Sequence, residues 1–487
     1  MRHCGTGSHV APSYRGEAEA CLNEGKNYSK GSDPAVHSRR RVLATAGTAL
    51  LSICLAAACS SGSGSSGNSS AGQTLTVFTS ATGGGAQGQA TQDYYNLIAS
   101  KFHAQTGATL KYQYWSSSAQ ENSIIQTGVV SSSGPDVIIY GSSSVVTLAA
   151  LNAFHVFTTA DWKALGGRNS FIPAQLTMSG DSPSQDIGIP AWSTPYVIAY
   201  NSAMFAKAGI SAPPTTWDQY ITDAQKVMKA NPGVYGAGID PADPKDAWKF
   251  IWSYTHQLGG SWATGNGKQV TINTAQTQQA VDFYVQQSSK FHLTPPGSLT
   301  WNHAQMVSAF VAGKVAMIPI ADEAVASAAE GTSTQNDIRF AELPSIPYGM
   351  SARPSGGTPA EQTVAGAYLA VPNYAADKVN LVLDLAKVMM SAPVETKAYQ
   401  LLGALPVTNA GLAMIDSKYP SAKQFAAAIG GSEPTEITPA WNDIETGISG
   451  VINRAAASAA TSGTLSPQYV QAQLAAAEQA AQAHASS

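Results

Sequence analysis

The feature that most constrains this chain is an uncharged run near its start, from Val42 to Ala58, which follows three arginines at 39–41. A basic segment, a short apolar run and small residues before a break are typical of an export signal. A membrane-spanning helix needs about 20 apolar residues, so this run is too short to cross a bilayer comfortably. The pattern therefore predicts a signal peptide at 36–58 and a globular part that folds outside the cytoplasm.

The apolar run ends in Leu55-Ala56-Ala57-Ala58-Cys59. This ending resembles the lipobox of bacterial lipoproteins, whose cysteine becomes the lipid-bearing N-terminus. Leucine usually stands three residues before that cysteine, whereas here Ala56 takes that place. The resemblance implies a lipid anchor at Cys59 on the outer face of the cell membrane. An ordinary secretory signal that is cut nearby is the alternative.

The first 35 residues do not look like the start of an export signal, because they carry four acidic residues and no apolar run. Translation from Val36 would give a compact signal. The segment Ser38–Leu43 partly matches a twin-arginine export motif, and a plain basic signal is the alternative. Residues 1–58 are thus assigned as the signal region, and 59–73 as a Ser/Gly-rich tether with a reach of about 20 Å.

The cysteine content and the charge of the mature chain indicate how it is stabilised and which partners it can bind. Cleavage before Cys59 leaves that residue as its only cysteine, so the globular part must be stable without a disulfide. Residues 59–487 are long enough for two domains or two lobes. They hold 20 basic and 27 acidic residues, and no basic run follows residue 41. This composition argues against a nucleic-acid partner.

The order of predicted elements indicates an α/β fold. A strand at Leu75–Phe78 is followed by a helix that ends at Gly107, and strands follow at Thr109–Trp115 and Asp136–Tyr140. This rhythm is typical of a parallel sheet with helices on its faces. Further along, Thr216–Gln219 predicts a capping box at the start of a helix.

Motifs for catalysis are weak. Gly83, Gly85 and Gly88 match a dinucleotide-binding fingerprint, but the next strand does not end in the acid that would bind a ribose. Neither a zinc-ligand spacing nor a G-x-S-x-G sequence occurs. No catalytic residue, metal or cofactor is predicted. A secreted carbohydrate-active enzyme stays an alternative, since the carboxylate pair of a glycosidase cannot be recognised from spacing.

Five segments point more directly to a function. They are the stretch 187–217, beginning IGIPAWSTPYVIAYN, and the shorter segments Gly134–Val137, Ala309–Met317, Gly366–Tyr368 and Gly403–Val407. Together, and in their order along the chain, these segments resemble extracellular solute-binding proteins of ABC importers, the family of the maltose and glycerol-phosphate receptors. The resemblance covers about residues 74–480.

The resemblance implies two α/β lobes, each a mostly parallel sheet flanked by helices, with a ligand cleft between them. Lobe one would comprise 74–194 with 367–405, and lobe two 195–366 with 406–487. The chain would cross between the lobes near 192–197, 365–368 and 403–408, and the lobes would close around a ligand by hinge motion. A monomer that delivers its solute to an ABC permease needs no chemistry of its own.

The expected ligand is a small neutral sugar or a sugar-like polyol. The mature chain has many aromatic side chains and few charges, and aromatic faces pack on the C–H faces of sugars. A glycerol-phosphate or glycerophosphodiester receptor is the alternative. It is less favoured because Trp441-Asn442-Asp443 stands where that branch of the family would have a phosphate-binding arginine. A sensor or an adhesin is a further alternative within the binding class.

The predicted ligand-binding residues follow strands or lie at the crossings. Those from strand ends and crossings are Ser80, Thr82, Tyr140, Ser142, Trp192, Ser193, Asp322, Glu323 and Gly366, and the two further stacking candidates are Trp252 and Trp441. A glycine at the return crossing would leave room for the ligand. The stacking candidates have an alternative place in the core of lobe two.

Overall fold

The computed structural model of the chain describes residues 70–80, 85–115, 118–182, 184–322, 324–359, 362–419 and 422–485. The signal region, Cys59, most of the tether, Thr82 and Glu323 lie outside the described residues, so the predictions made for them stay predictions. Within the described ranges, no helix combines the length and the apolar composition needed to cross a bilayer.

The described residues form ten strands. They are β1 (Thr74–Ser80), β2 (Thr109–Trp115), β3 (Val137–Gly141), β4 (Gly188–Ser193), β5 (Val197–Asn201), β6 (Ala263–Thr264), β7 (Gln269–Val270), β8 (Met317–Ala321), β9 (Ile338–Ala341) and β10 (Gly366–Ala370). β6 and β7 pair only with each other, and the other strands form two sheets.

The same residues form seventeen α-helices. They are α1 (Gly85–Thr106), α2 (Ser118–Ser131), α3 (Val145–Ala150), α4 (Thr159–Ala164), α5 (Pro173–Leu176), α6 (Ser202–Lys207), α7 (Trp217–Ala230), α8 (Ala247–Gln257), α9 (Ala275–Ser289), α10 (His303–Val311), α11 (Ala324–Ala328), α12 (Val379–Met389), α13 (Ala392–Leu402), α14 (Asn409–Lys418), α15 (Ala422–Gly431), α16 (Trp441–Ser462) and α17 (Pro467–Ala485). Short 3₁₀ turns lie at Ser142–Ser144, Arg168–Ser170, Ser298–Thr300 and Asn373–Lys378.

The larger sheet has the strand order β2-β1-β3-β10-β4. β1 pairs in parallel with β2 and β3, whereas β10 is antiparallel to both β3 and β4. Apolar side chains cover both faces: Leu75 and Val77 belong to one buried cluster, and Phe78 to another on the opposite face. Because strand residues alternate in direction, a sheet covered on both faces needs apolar residues in succession, as in β1.

The smaller sheet has the order β8-β5-β9, and β5 is antiparallel to both neighbours. The expectation of mostly parallel pairing is therefore wrong for this sheet. Its outer strands β8 and β9 run in the same direction and are connected through α11, as the predicted strand–helix–strand rhythm requires. β5 enters from the larger sheet and lies between them in the opposite direction. The α/β fold with two lobes is confirmed.

Local sequence signals set several helix ends. α1 ends before Gly107, whose positive φ of 72° suits glycine. The Thr216 hydroxyl accepts from the Gln219 amide at 3.1 Å and caps α7. The Gln219 side chain instead accepts from the Thr215 amide at 2.9 Å, so only half of the predicted capping box forms.

Three chain segments meet where the two sheets join. Ser193 and Leu405 exchange two backbone hydrogen bonds of 2.9 Å, and the Thr194 amide donates to the Ala365 carbonyl at 3.2 Å. The Gln175 side-chain amide donates to the Ser193 hydroxyl at 2.9 Å. We call the side of the molecule around the larger sheet lobe one and the side around the smaller sheet lobe two. The exact residue boundaries of the lobes stay a prediction.

Candidate functional site

A cavity of 270 Å³ lies between the two lobes, at the carboxyl ends of β2 and β3. Ligands of open α/β sheets bind at such strand ends. Lobe one, the crossing segments and lobe two all contribute side chains, and many of these are hydroxyls or aromatic rings. The lining residues are Trp115, Glu121, Gly141–Ser144, Thr194, Tyr196, Lys245, Trp248, Lys249, Thr363–Gly366, Thr435, Asn442, Glu445 and Thr446.

The first turn of α8 holds one wall of this cavity in place. The Lys249 ammonium donates to the Asp246 carboxylate, to the Tyr196 hydroxyl at 3.0 Å and to the Lys245 carbonyl at 2.7 Å. It also lies 4.3 Å from the centre of the Tyr196 ring. Although burial acts in the opposite direction, Lys249 and His303 hold the pKa of Asp246 well below its usual range. Asp246 therefore stays ionised and fixes Lys249.

A second charged group lies behind this wall. The His303 imidazole contacts the Asp240 carboxylate at 3.0 Å, and Asp240 also accepts from the Tyr284 hydroxyl at 2.6 Å. Burial lowers the pKa of His303, but Asp240, Asp246 and Asp322 outweigh it and raise that pKa to about 10. Burial raises the pKa of Asp322, which directly follows β8, while His303 opposes the rise. The protonated His303 thus joins α10 to the loop that precedes α8.

Groups from both lobes meet across the cavity. The Lys245 ammonium of lobe two lies 5.3 Å from the centre of the Trp115 ring of lobe one. Burial raises the pKa of Glu445 on α16, and Ser143, just beyond β3, is among the groups that oppose the rise. Glu121 on α2 is 7% exposed, and burial raises its pKa to about 7 although Lys245 lowers it. A molecule held here would touch both lobes at once.

Two of the sequence-predicted residues line the cavity, Ser142 and Gly366. The reason for the glycine differs from the expected one. A Cβ at residue 366 would collide with the Trp192 carbonyl and lie 3.3 Å from the Ser193 Cα. Glycine at residue 366 therefore allows the neighbouring strand β4 to approach, whereas the sequence led us to expect that it leaves room for the ligand.

Other predicted residues lie beside the cavity without lining it. The Tyr140 ring stacks on Tyr368 at 5.4 Å between ring centres and is 1% exposed. Trp192 packs edge-on against Tyr94 at 6.4 Å, within the core of lobe one. Ser193 is fully buried in the hydrogen bonds of the crossing. Ser80 is exposed at the end of β1.

Trp252 and Trp441 lie in the core of lobe two and are 0% exposed. The Trp252 indole donates to the Glu436 carboxylate at 2.8 Å, and Trp441 packs edge-on against Trp248 at 5.6 Å. Neither ring offers a surface on which a ligand could stack. Asp322 lies outside the lining as well, within the charged group that supports the α8 wall.

Most of the lining residues were not predicted from the sequence, and five of them show why. Trp115 ends a strand, so the rule that selected Tyr140 would also have selected it. Glu121, Lys245, Lys249 and Glu445 lie on or just before helices. They carry no motif, and only the packing of α2, α8 and α16 brings them to one cavity.

Two α/β lobes with a polar and aromatic cleft between them define the class of two-lobed solute-binding proteins. The model of the family described as "Bacterial extracellular solute-binding protein" matches residues 85–396, and the chain belongs to this family. The resemblance noted from the five segments is confirmed.

The comparisons with individual proteins agree with this family. A Deinococcus radiodurans protein named "Probable ABC transporter-binding protein" is 29% identical over 202 residues, which are 40% of this chain and 46% of that protein. The chain spans less than half the length of the curated relatives it matches.

Solved structures of low sequence identity share the fold. An ABC transporter solute-binding protein of Thermotoga lettingae, bound to α-D-tagatose, superimposes with a TM-score of 0.67 at 17% identity over 84% of this chain and 100% of that one. One of Agrobacterium radiobacter, in complex with ribitol, gives a TM-score of 0.67 at 18% identity over 85% and 98%.

Proposed function

We propose that this chain is the solute-binding subunit of an ABC importer and that its cleft binds a small sugar or a sugar-like polyol. The observation that carries the proposal is the cavity between the lobes, in which hydroxyl, amide and aromatic side chains of both lobes converge. Such a mixture fits a ligand with many hydroxyl groups and apolar C–H faces. The tagatose and ribitol of the two structural neighbours belong to these ligand classes.

The size of the cavity supports a small ligand. Ligand pockets usually measure about 300–1,000 Å³, and this cavity of 270 Å³ lies just below that range. A single sugar ring or a short polyol suits it better than a long oligosaccharide.

The charges of the cavity argue against the glycerophosphodiester alternative. None of its described lining residues is an arginine, and Asn442 lines it in the segment where the glycerol-phosphate branch of the family would have a phosphate-binding arginine. Lys249 already donates to three oxygen atoms, so it has no spare donor for a phosphate. Two glutamates and two lysines line the same cavity, so the lining has no excess of basic residues to favour an anion.

The remaining parts of the proposal follow from the export signal and the family. The protein would be held outside the cell membrane by a lipid on Cys59, would act as a monomer and would deliver its solute to a permease. It would bind and release its ligand unchanged, without catalysis.

Thermal-shift screening of the purified protein against monosaccharides, polyols and glycerophosphodiesters, followed by calorimetry of the hits, tests the ligand class. We expect stabilisation by one or more sugars or polyols and none by the phosphodiesters. Stabilisation by phosphodiesters alone would contradict the proposal.

A further inference from the structure

Two carboxylates line the cleft, one from each lobe. Glu121 lies on α2 in lobe one, and Glu445 lies on α16 in lobe two. Both line the cavity, and Glu445 lies close enough to Glu121 for its charge to add to the effect of burial on the pKa of Glu121. Burial raises the pKa of both groups, since the ionised form of a carboxyl loses hydration in a closed cavity.

The basic groups nearby leave this charge only partly balanced. Lys249 opposes the effect of burial on the pKa of Glu445, but its hydrogen bonds go to Asp246, Tyr196 and the Lys245 carbonyl. Among the described residues, the Glu121 side chain accepts no hydrogen bond, although it is 7% exposed and faces the cavity. A carboxylate in this position needs a donor or a cation from a bound molecule.

Lys245 shows what kind of group this corner of the cleft accepts. Its ammonium lies 5.3 Å from the centre of the Trp115 ring and lowers the pKa of Glu121. An aromatic face beside a carboxylate is a favourable place for an alkylammonium ion. The Lys245 side chain is exposed, so a ligand can displace its ammonium at small cost.

We propose that the ligand of this cleft is a sugar or polyol that carries a protonated amine, with the amine held by Glu121, Glu445 and the face of Trp115. The ligand hydroxyls would then bond to Ser142–Ser144 and Asn442. A cation between the two glutamates keeps both ionised and removes their repulsion when the lobes close. This inference rests on the proposed solute-binding function, and it departs from the neutral ligand that the sequence predicted.

Calorimetry with matched pairs tests the inference. The pairs are glucose and glucosamine, galactose and galactosamine, mannose and mannosamine, and sorbitol and its 1-amino-1-deoxy derivative. We expect the amine of at least one pair to bind roughly tenfold or more tightly than its neutral partner. The N-acetylated derivative of that amine keeps the nitrogen and the stereochemistry but loses the charge, so it should show no such gain.

Variants of the two glutamates locate the effect. Glu121→Gln and Glu445→Gln should each reduce the ratio of amine to neutral-sugar affinity to about threefold or less, with both affinities measured for each variant. Lys245→Gln removes the competing ammonium and should leave the preference equal or larger. Glu330→Gln, an exposed glutamate outside the cavity lining, is the matched control and should change nothing. Cooperative unfolding of each variant shows that it is folded.

The possible outcomes separate this inference from the proposed function. If neutral sugars bind as tightly as their amines, the inference is overturned and sugar binding stands. If the preference survives in both glutamate variants, the amine lies elsewhere and the assignment to this pair is wrong. If no member of any pair binds, both the inference and the proposed function fail for these ligands.

Discussion

Two buried glutamates of this protein behave in opposite ways. Glu436, in the core of lobe two, accepts hydrogen bonds from the Trp252 indole at 2.8 Å, the Ser261 hydroxyl at 2.9 Å and the Trp262 amide at 2.5 Å. It also contacts His256 at 3.1 Å. Glu121, in the cleft, is also largely removed from solvent but accepts no hydrogen bond from the described residues.

The difference shows in the pKa values. Burial raises the pKa of both groups, but the contacts of Glu436 with His256, Trp262 and Trp252 outweigh it and lower that pKa to about 2. For Glu121 burial prevails, and its pKa rises to about 7. A buried carboxylate whose hydrogen bonds are complete serves the fold, whereas one left incomplete in a cavity indicates a ligand.

The largest expected effect is on stability. Glu436→Gln replaces one acceptor oxygen by an NH₂ group and removes the charge that faces His256, so a buried donor loses its partner. We expect the free energy of unfolding to fall by about 2–4 kcal/mol, measured by urea denaturation. Glu121→Gln should not lower it at pH 7, because the ionised carboxylate that it removes is itself unfavourable in the buried cleft.

The exposed Glu330→Gln is the control for both variants, with an expected change within about 0.5 kcal/mol. If Glu121→Gln destabilised the protein as much as Glu436→Gln, the proposed distinction between core and cleft glutamates would be lost.

The second prediction concerns pH. Glu436 has a lowered pKa, so its stabilising effect is complete above about pH 4.5 and is lost as the pH falls toward 2. Glu121 has a raised pKa, so the folded state is favoured at low pH and loses up to about 3 kcal/mol as the pH rises from 4.5 to 7. Lys245 and Glu445, which face Glu121, act on it in opposite directions.

Unfolding free energies of the wild type and of each Gln variant between about pH 3 and pH 8 measure both effects. The difference between wild type and Glu121→Gln should grow in favour of the variant toward high pH. The difference for Glu436→Gln should shrink toward low pH. Parallel curves for the two variants would contradict the pKa assignments.

The third prediction compares two half-buried tryptophans of lobe one, Trp115 and Trp192. Trp115 lines the cavity and Trp192 does not. Trp115→Ala should weaken ligand binding by about 3- to 10-fold, because the ligand loses an aromatic face. Trp192→Ala should leave the affinity nearly unchanged and lower stability instead. Calorimetry with the sugar or polyol that binds best measures the first effect. An equal loss of affinity in both variants would show that Trp192 also contributes to the binding site.

Sequence reasoning recovered the framework better than the cleft. Hydrophobic patterns and glycines placed β2 at Thr109–Trp115 and the end of α1 at Gly107. Such signals are local, because the residues of a segment themselves determine its hydrophobic pattern and its ends. The place of β5 between β8 and β9 depends on pairing across distant segments, and no local pattern shows it.

The cleft residues were harder for the same reason. Ser142 and Gly366 were found because strand ends and crossings can be located along the chain. Trp252 and Trp441 were chosen as large aromatic residues, but type alone does not show whether a ring lies in a core or at a surface. Glu121 and Glu445 are 324 positions apart in the sequence, and only the tertiary fold makes them a pair.

The smallest expected effect is on shape. Because Glu121 and Glu445 repel each other across the cleft, they oppose closure of the lobes when both are ionised. The Glu121→Gln, Glu445→Gln double variant without ligand should therefore have a slightly smaller radius of gyration than the wild type at pH 8, measured by small-angle scattering. Saturating ligand should compact the wild type further, since a ligand shifts the balance only through contacts that it makes better in the closed form.

Glu436→Gln, which leaves the cleft charges in place, is the control and should scatter like the wild type with and without ligand. If ligand binds tightly and the scattering of the wild type does not change, the cleft does not close, and the charge pair cannot control the position of the lobes.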